Sequence, residues 1–161
     1  MTDDDFMQAV NRNNQRLFLI ALSFTKNPHD SEDIIQNVFL KLWKYPKRFS
    51  GDAHIDKWLT IVCVNESKNY IKLPFRYHHD IDDYDFISNV GFDNSAQIDL
   101  YNAVMNLSKK ERAVIHLFYY ENLSIKDIAK MLKIKESSVK TRLSRARVKI
   151  KKQLGDAWID E

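Results

Sequence analysis

The sequence is poor in the residues that most nucleotide and metal sites require. Its 161 residues include three glycines, three prolines and one cysteine. The glycines (Gly51, Gly91 and Gly155) stand far apart, which excludes a P-loop or a G-x-G-x-x-G dinucleotide turn. The single cysteine, Cys63, cannot form an intramolecular disulfide, and its apolar neighbours predict a core position. The five histidines lack metal-ligand spacing. We therefore predict no metal and no cofactor.

The scarcity of helix breakers predicts an all-α protein. Hydrophobic residues make up 44% of the chain and charged residues 29%, which is typical of a soluble globular protein with one domain or two small ones. The longest apolar run, residues 17–22, is far shorter than the roughly 20 residues of a membrane helix. Acidic residues, not basic ones, follow the first methionine. We expect a cytoplasmic protein without membrane insertion.

Charge is distributed unevenly along the chain. The formal net charge is +3, but residues 74–98 carry one basic and five acidic side chains, whereas residues 99–161 carry 14 basic and 8 acidic ones. Residues 133–152 hold nine lysines or arginines against one acid, Glu136. Such a concentration of positive charge is typical of a surface that binds nucleic acid. A solvated helix face is the alternative that charge alone leaves open.

Capping signals and apolar periodicity predict several helices in the C-terminal part. Ser108 with Glu111 forms a capping box, so one helix ends near Leu107 and the next begins one residue after the serine. Ser124 with Asp127 predicts a further helix start. After a connector at residues 133–135, a last helix begins near residue 136. Its inward stripe comprises Val139, Leu143, Ala146 and Ile150. Two short helices with this connector predict a helix-turn-helix, whose second helix enters the DNA major groove.

The outward face of the last predicted helix carries the chemistry of base recognition. It presents Lys140, Thr141, Ser144 and Arg145, with Arg142, Arg147 and Lys149 on its flanks. Lysine and arginine donate to guanine acceptors, and threonine and serine bond base edges, so the first four are predicted to read bases. The three flanking cations are predicted to hold phosphates. A hairpin of a helical bundle with a solvated face remains the alternative.

The N-terminal part predicts a bundle of three helices. The apolar residues 17–26 stop at Asn27 and Pro28, a helix terminator. A second helix is predicted to start at Ser31, with Asp33 in its first turn, and to end before Pro46. Its wide apolar face comprises Ile34, Ile35, Val38, Phe39, Leu42 and Trp43. The last of the three helices is predicted to end near residue 71.

The C-terminal pattern resembles the fourth conserved region of extracytoplasmic-function (ECF) sigma factors. The resemblance lies in S-I-K-D-I-A-K-M-L-K-I-K-E-S-S-V-K-T-R-L-S-R-A-R-V-K-I-K-K, residues 124–152, and in the preceding L-S-K-K-E-R-A-V-I-H-L-F-Y-Y-E-N-L-S. Lys133 stands where this family usually has a glycine at the turn. A lysine adopts the left-handed conformation at a cost of roughly 1 kcal/mol, so we expect Lys133 to take it.

Residues 27–71 resemble the second conserved region of the same family. The diagnostic parts are D-x-x-Q-x-x-F at Asp33, Gln36 and Phe39, and F-x-G-D-x-x-x-x-x-W from Phe49 to Trp58. The resemblance implies two small helical domains: sigma region 2 over residues 1–73 and sigma region 4, with its helix-turn-helix, over residues 97–161. An acidic linker, residues 74–96, joins them. Its aspartates are expected to mimic nucleic-acid charge inside a basic channel of the polymerase.

The resemblance also implies partners and site residues. Asp33, Gln36 and Asn37 would contact the clamp coiled coil in the largest subunit of core RNA polymerase. A flipped base of the minus-ten element would be captured by Phe49, Gly51, Asp52, Ala53, His54 and Asn65. Lys140, Thr141, Ser144 and Arg145 would read the minus-thirty-five element. An anti-sigma factor is a further expected partner. Ile55 stands where the family usually has an aromatic residue, and Thr60 and Ile61 stand where it has a Tyr-Arg-like pair. The chain therefore offers fewer of the basic and aromatic contacts expected for strand separation.

The sequence thus predicts an alternative sigma factor that binds core RNA polymerase and directs promoter-specific initiation. It predicts no catalytic residue and no small-molecule substrate. A helix-turn-helix regulator that works without polymerase would explain residues 124–152 but not the two N-terminal motifs. A hydrolase using His54, Asp52 and Asp56 would need an oriented nucleophile or metal, for which the sequence offers no recognisable context.

Overall fold

The computed structural model describes residues 1–72 and 95–155. Over these residues the chain forms seven α-helices and one π-helical turn and no strand, which confirms the all-α prediction. The chain divides into two units, Met1–His78 and His79–Glu161. No helix among the described residues is long and apolar enough to cross a membrane.

The linker predicted for residues 74–96 lies almost entirely outside the described residues. Its last two residues, Ser95 and Ala96, begin a helix that continues to Met105. The prediction stopped the linker where the first regular apolar spacing begins. A helix extends beyond its apolar stripe when its exposed first turn is made of residues that tolerate helical geometry, as this serine and alanine do.

The first unit is a three-helix bundle of α1 (Asp3–Thr25), α2 (Pro28–Trp43) and α3 (Asp52–Ile71). A capping box between Thr2 and Asp5 starts α1 well before the apolar run at residue 17. The core includes Leu17, Ile20, Ile34, Val38, Leu59 and Cys63, each at most 1% exposed. The core position predicted for Cys63 is therefore confirmed.

The start predicted for the second helix, Ser31, is wrong. The helix begins at Pro28, because the Asn27 side chain accepts a hydrogen bond from the Asp30 amide at 3.0 Å and caps it. Proline suits the first helical position, where its missing N–H would have no partner anyway. Ser31 is instead fully buried, and its hydroxyl lies 2.8 Å from both the Asn27 carbonyl and the Thr25 hydroxyl.

The second unit contains α4 (Ser95–Met105), α5 (Lys109–Ile115), α6 (Ile125–Leu132) and α7 (Glu136–Leu154). A π-helical turn, His116–Tyr120, extends α5. The predicted N-caps are confirmed: the Ser108 hydroxyl accepts from the Glu111 amide at 3.4 Å and the Ser124 hydroxyl from the Asp127 amide at 3.0 Å. The reciprocal half of the capping box predicted for Ser108 and Glu111 does not form, because the Glu111 carboxylate binds Lys149 instead.

The helix-turn-helix has the predicted boundaries and inward stripe. The α6–α7 connector is residues 133–135, and Lys133 adopts the expected left-handed conformation with φ 57° and ψ 47°. The inward stripe of α7 packs against α5 and α6, and each of its four side chains is at most 1% exposed. Because this stripe is buried along most of α7, the opposite face of the helix points to solvent.

Candidate nucleic-acid interface

The outward face of α7 presents the four predicted base-reading residues to solvent. Lys140, Thr141, Ser144 and Arg145 are all exposed. The Thr141 hydroxyl donates to the Ser137 carbonyl at 2.9 Å, so its oxygen lone pairs and methyl group remain for a ligand. Such an oxygen accepts from an adenine or cytosine amino group, and the methyl can pack on a thymine methyl.

A cleft of about 410 Å³ lies beside this face, between the first turns of α5 and α7. Thr141, Arg142 and Arg145 line it on the α7 side. Its other lining residues, none of which was predicted to contact DNA, are Ser108, Lys110, Glu111, Ser137 and Ser138. The structure therefore brings two predicted base-reading residues and one predicted phosphate-binding residue together at a single concave surface.

Two of the three predicted phosphate-binding residues have partners within the second unit. Arg147 donates through Nε to the Tyr119 hydroxyl at 2.7 Å and lies over the Phe118 and Tyr119 rings. Lys149 Nζ lies 3.0 and 2.8 Å from the two carboxylate oxygens of Glu111. Arg142 has no ion pair among the residues described. Lys149 is thus paired with a carboxylate, whereas the described contacts of Arg147 are with a neutral hydroxyl and two rings.

An aromatic cluster organises the α2–α3 connector, residues 44–51. Tyr45 stacks on Phe49 with ring centroids 4.9 Å apart, and Trp58 from α3 lies 4.9 Å from Tyr45 and 5.7 Å from Phe49. His54 meets Phe49 edge to face at 5.0 Å. Phe49 therefore has three ring neighbours, which fix the position of the connector.

The predicted minus-ten residues of this connector lie on its exposed side. Gly51, Asp52, Ala53 and His54 are all exposed at the start of α3. The Ser50 amide donates to His54 Nδ1 at 3.0 Å, so the neutral ring carries its proton on Nε2. His54 thus holds the connector through one nitrogen and offers the other as a donor.

A polar network joins the start of α3 to α1. Arg12 Nε donates to both carboxylate oxygens of Asp56, at 3.0 and 3.2 Å, and the buried Asn13 donates to Asp56 at 2.8 Å. Burial raises the pKa of Asp56, but the hydrogen bonds from Arg12 and Asn13 outweigh it, so the pKa lies below its usual value. Arg12 also lies 3.6 Å from Asp52. Asp52 and Asp56 are thus both held by Arg12.

Asn65 lies apart from the other minus-ten residues. It is exposed on α3, 13 residues after Asp52, which is about 20 Å along the helix and nearly on the opposite side. It shares its side of α3 with Trp58, seven residues earlier, about 10 Å away along the axis. Asn65 and Asp52 therefore do not border one pocket, whereas Asn65 and the aromatic cluster face the same side.

The predicted polymerase-binding residues lie on the exposed side of α2. Asp33, Gln36 and Asn37 are exposed, and the Tyr70 hydroxyl lies 3.5 Å from Asp33. Leu40 and Trp43, one and two turns further along, are each 50% exposed. Trp43 was expected inside the apolar face; it instead contacts Phe6 of α1 edge to face at 5.0 Å, because the bundle covers only the inner part of that wide face.

Comparisons with known proteins agree with both halves of this description. The family model for Sigma-70 region 2 matches residues 9–73, and the model for Sigma-70, region 4 matches residues 97–150. The chain is 27% identical to the ECF RNA polymerase sigma factor SigM of Mycobacterium tuberculosis strain H37Rv over 154 residues, 93% of this chain and 77% of SigM. It is 27% identical to SigW of Bacillus subtilis over 169 residues, 95% of this chain and 90% of SigW.

The chain belongs to the ECF sigma factors. Its fold is similar to that of the sigma factor RpoE of Bartonella quintana, solved with the anti-sigma factor NepR: the TM-score is 0.68 at 23% identity, covering 96% of this chain and 99% of RpoE. It is also similar to CnrH, solved with the cytosolic domain of CnrY, with a TM-score of 0.62 at 24% identity over 95% and 89% of the two chains.

Family membership establishes the function at the level of the whole chain. It is an alternative sigma factor that binds core RNA polymerase and directs promoter-specific transcription initiation. In this sigma factor most of α1 and all of α2 and α3 fall within the region 2 match, while most of α4, all of α5 and α6 and most of α7 fall within the region 4 match. The residue assignments within each region remain predictions.

Sequence reasoning on this ECF sigma factor missed two groups of residues. One is Lys110 with Ser137 and Ser138, beside the base-reading face. The other is Tyr45 with its neighbouring cations in the α2–α3 connector. A signal for the second group was available, because K-Y-P-K-R-F combines three cations with two aromatic residues in six positions.

Proposed function

We propose that the two units of this sigma factor divide promoter recognition between them. The region 4 unit, residues 97–161, binds the minus-thirty-five element as duplex, and the region 2 unit, residues 1–73, captures an unpaired base of the minus-ten element and contacts core polymerase. Residues 74–96 link them. The observation that carries this proposal is the α7 face of Lys140, Thr141, Ser144 and Arg145, exposed opposite a fully buried stripe.

The α7 face supports base reading for chemical reasons. Arg145 and Lys140 donate to guanine O6 and N7, while Thr141 and Ser144 offer oxygen lone pairs to amino groups. Arg142 and Lys149, seven residues apart, hold phosphates on one flank of α7, and Arg147 holds a phosphate on the other flank. Arg147 and Lys149 must exchange Tyr119 and Glu111 for the ligand, so each contributes less to affinity than Arg142.

The α2–α3 connector supports capture of a flipped base. A base that leaves the duplex needs an apolar wall and hydrogen-bonding groups. Phe49, supported by its three ring neighbours, supplies the wall. Gly51, Asp52, Ala53 and His54 border one side of it, and His54 Nε2 supplies a donor to the captured base. Asn65 lies about 20 Å from Asp52 along α3, so its amide, both donor and acceptor, serves the adjoining part of the strand and not the same pocket.

The exposed side of α2 supports binding to the clamp coiled coil of the largest polymerase subunit. Asp33, Gln36 and Asn37 form its polar part, and the half-exposed Leu40 and Trp43 extend it with apolar area. A polar rim beside apolar area is typical of a protein interface. We also propose that an anti-sigma factor regulates this chain in the cytoplasm, as the solved complexes of RpoE and CnrH illustrate for those proteins. The chain itself catalyses no covalent step.

The experiment that tests the proposal mixes the purified chain with bacterial core RNA polymerase. Co-elution and run-off transcription on genomic fragments are expected to yield new start sites that share a promoter sequence. Arg145→Ala is expected to relax base preference at one minus-thirty-five position at a cost of about 1 to 3 kcal/mol. Lys152→Ala, the same charge loss on the same helix, is the matched control and is expected to keep the preference.

Two outcomes would contradict the proposal. Binding to DNA without binding to core polymerase would favour a regulator that works without the polymerase. Equal losses of affinity on every promoter variant for Arg145→Ala would exclude a base-reading role for this residue.

A further inference from the structure

The start of α3 is held by three side chains of α1. Arg12 donates through Nε to both carboxylate oxygens of Asp56, at 3.0 and 3.2 Å, and the Asn13 amide donates to the same carboxylate at 2.8 Å. Arg16 donates to the Asp56 carbonyl at 3.1 Å and to the Thr60 hydroxyl oxygen at 2.6 Å. We call Arg12, Asn13, Arg16 and Asp56 the α1–α3 clamp.

The members of the α1–α3 clamp also brace one another. Asn13 is 1% exposed, and its amide nitrogen donates to the Ala9 carbonyl at 2.9 Å. Its amide oxygen accepts from Arg16 Nη2 at 2.6 Å. Charge-assisted bonds from an arginine to two oxygens fix direction as well as distance. A substitution at Arg12 or Asp56 is therefore expected to shift the first turns of α3 and not one side chain alone.

The first turn of α3 depends on the clamp because no side chain caps it. Gly51 is the N-cap residue and supplies no side-chain hydrogen bond. Asp52 precedes Asp56 by one helical turn and lies on the same side of α3, where Arg12 reaches it at 3.6 Å. His54 lies nearly opposite and meets the aromatic cluster edge to face at 5.0 Å. The turn that carries both predicted pocket residues is thus held from two sides, by the clamp and by the rings.

We propose that Arg12 and Asp56 are positioning residues for base capture in the minus-ten element. They fix the first turn of α3, so that Asp52 and His54 stand where the captured base needs them. The inference rests on the proposed function and deepens it. A site discriminates between ligands only when its hydrogen-bonding groups are held to within roughly 0.5 Å of the productive geometry. The clamp therefore contributes to the choice of base and not to the attraction of DNA.

A direct contact between Arg12 and a DNA phosphate is the alternative that the test must separate, because the Arg12 side chain is 32% exposed. A phosphate contact depends on charge, so a lysine at position 12 would keep it. Positioning depends on the planar fork of arginine, which binds two carboxylate oxygens at once and which lysine lacks. Arg12→Lys therefore distinguishes the two roles.

The test uses holoenzyme assembled from the full chain and core polymerase. Its probe is a short fluorescent single strand that carries the minus-ten element found by run-off transcription, together with versions that differ from it by one base. Arg12→Lys and Asp56→Asn are compared with Glu66→Gln. Glu66 pairs with Lys41 of α2 and lies about 15 Å from Asp56 along α3, so its variant removes an ion-paired carboxylate of the same helix away from the pocket.

Arg12→Lys and Asp56→Asn are each expected to lower the discrimination between the preferred base and the others by about three- to tenfold, the loss expected when one hydrogen bond to the base is misplaced. The slope of log affinity against log salt is expected to stay as in the wild type. Glu66→Gln is expected to keep both quantities. Thermal unfolding of each variant checks that the unit remains folded, and Arg12→Lys decides if Asp56→Asn does not fold.

Three results would overturn the inference. They are unchanged discrimination in folded Arg12→Lys and Asp56→Asn, an equal loss in Glu66→Gln, and a slope lowered by about 0.7 in Arg12→Gln, which would identify a phosphate contact. Co-elution with core polymerase is measured on the same preparations. Failure of the wild-type chain to co-elute, or to discriminate between bases, would refute the proposed function. Normal co-elution and wild-type discrimination, with no change in the clamp variants, would refute the positioning role alone.

Discussion

The ion pair between Lys149 and Glu111 leads us to an unusual prediction: replacing an acidic residue should tighten DNA binding. Lys149 is 56% exposed through its side chain, whereas the Glu111 side chain is 10% exposed. The carboxylate is thus anchored in the unit and the ammonium group lies at its surface. In the wild-type protein the pair has no net charge, and a phosphate must compete with Glu111 for Lys149.

Glu111→Gln releases one positive charge at the flank of α7. If Lys149 then neutralises one phosphate, the slope of log affinity against log salt steepens by up to about 0.9. This electrostatic contribution vanishes at about 1 M salt. A slope that is steeper by about 0.9 therefore makes binding about eightfold tighter at about 0.1 M salt. The same variant loses an ion pair with one exposed partner, so unfolding free energy should fall by only about 0.5 to 1 kcal/mol.

The assay is fluorescence anisotropy of a duplex minus-thirty-five oligonucleotide at salt concentrations from about 0.05 to about 0.4 M, a range in which binding stays measurable. Asp99→Asn is the control, because it removes one exposed carboxylate from α4 of the same unit. Lys149→Met should weaken binding, and the double variant should return towards the wild type. An unchanged or weaker affinity for Glu111→Gln would show that Lys149 does not reach a phosphate.

Three further predictions concern stability, each measured by urea unfolding followed by circular dichroism. Asn27→Ala should cost about 1 kcal/mol through loss of the α2 cap, whereas Ser31→Ala at the predicted start should leave that cap intact. Asp56→Asn should cost about 1 to 2 kcal/mol near neutral pH. Because hydrogen bonds lower the Asp56 pKa below 3.8 against the opposing effect of burial, this contribution is lost as the pH falls below that value. Burial lowers the pKa of His116 from 6.5 to about 4, so the unfolded state binds a proton more readily between these values. Stability should therefore fall on acidification from about pH 6.5 to 4 by up to about 3 kcal/mol, and His116→Gln should remove this dependence.

Local signals predicted most helix boundaries because caps act over three residues. Ser108 and Ser124 each bond an amide three positions later, so the sequence alone identified both. The same rule failed at Ser31, since Asn27 and Pro28 offered a second valid start a few residues earlier. Proline was taken as a stop, although the first turn of a helix accepts it, and only tertiary packing decides between two such starts.

The sequence could not predict which charged residues pair, because the partners are far apart along the chain. Lys149 and Glu111 are 38 positions apart, and Arg12 and Asp56 are 44 positions apart. Periodicity placed Lys149 on a flank of α7, which is correct, but it contains no information about which side chain of α5 lies opposite. A count of nine cations therefore overstated the charge available to DNA, since Lys149 is already paired with the carboxylate of Glu111.

The departures from the family pattern at Ile55, Thr60 and Ile61 do not all have the same physical meaning. A position-by-position comparison records all three as lost contacts, because it assumes that each position keeps its exposure. Ile55 and Thr60 fill the bundle core at 9% and 5% exposed, and the Thr60 hydroxyl accepts a hydrogen bond from Arg16, so neither side chain is placed to contact DNA. Ile61 is 37% exposed, so of the three it is the departure that changes the surface of α3.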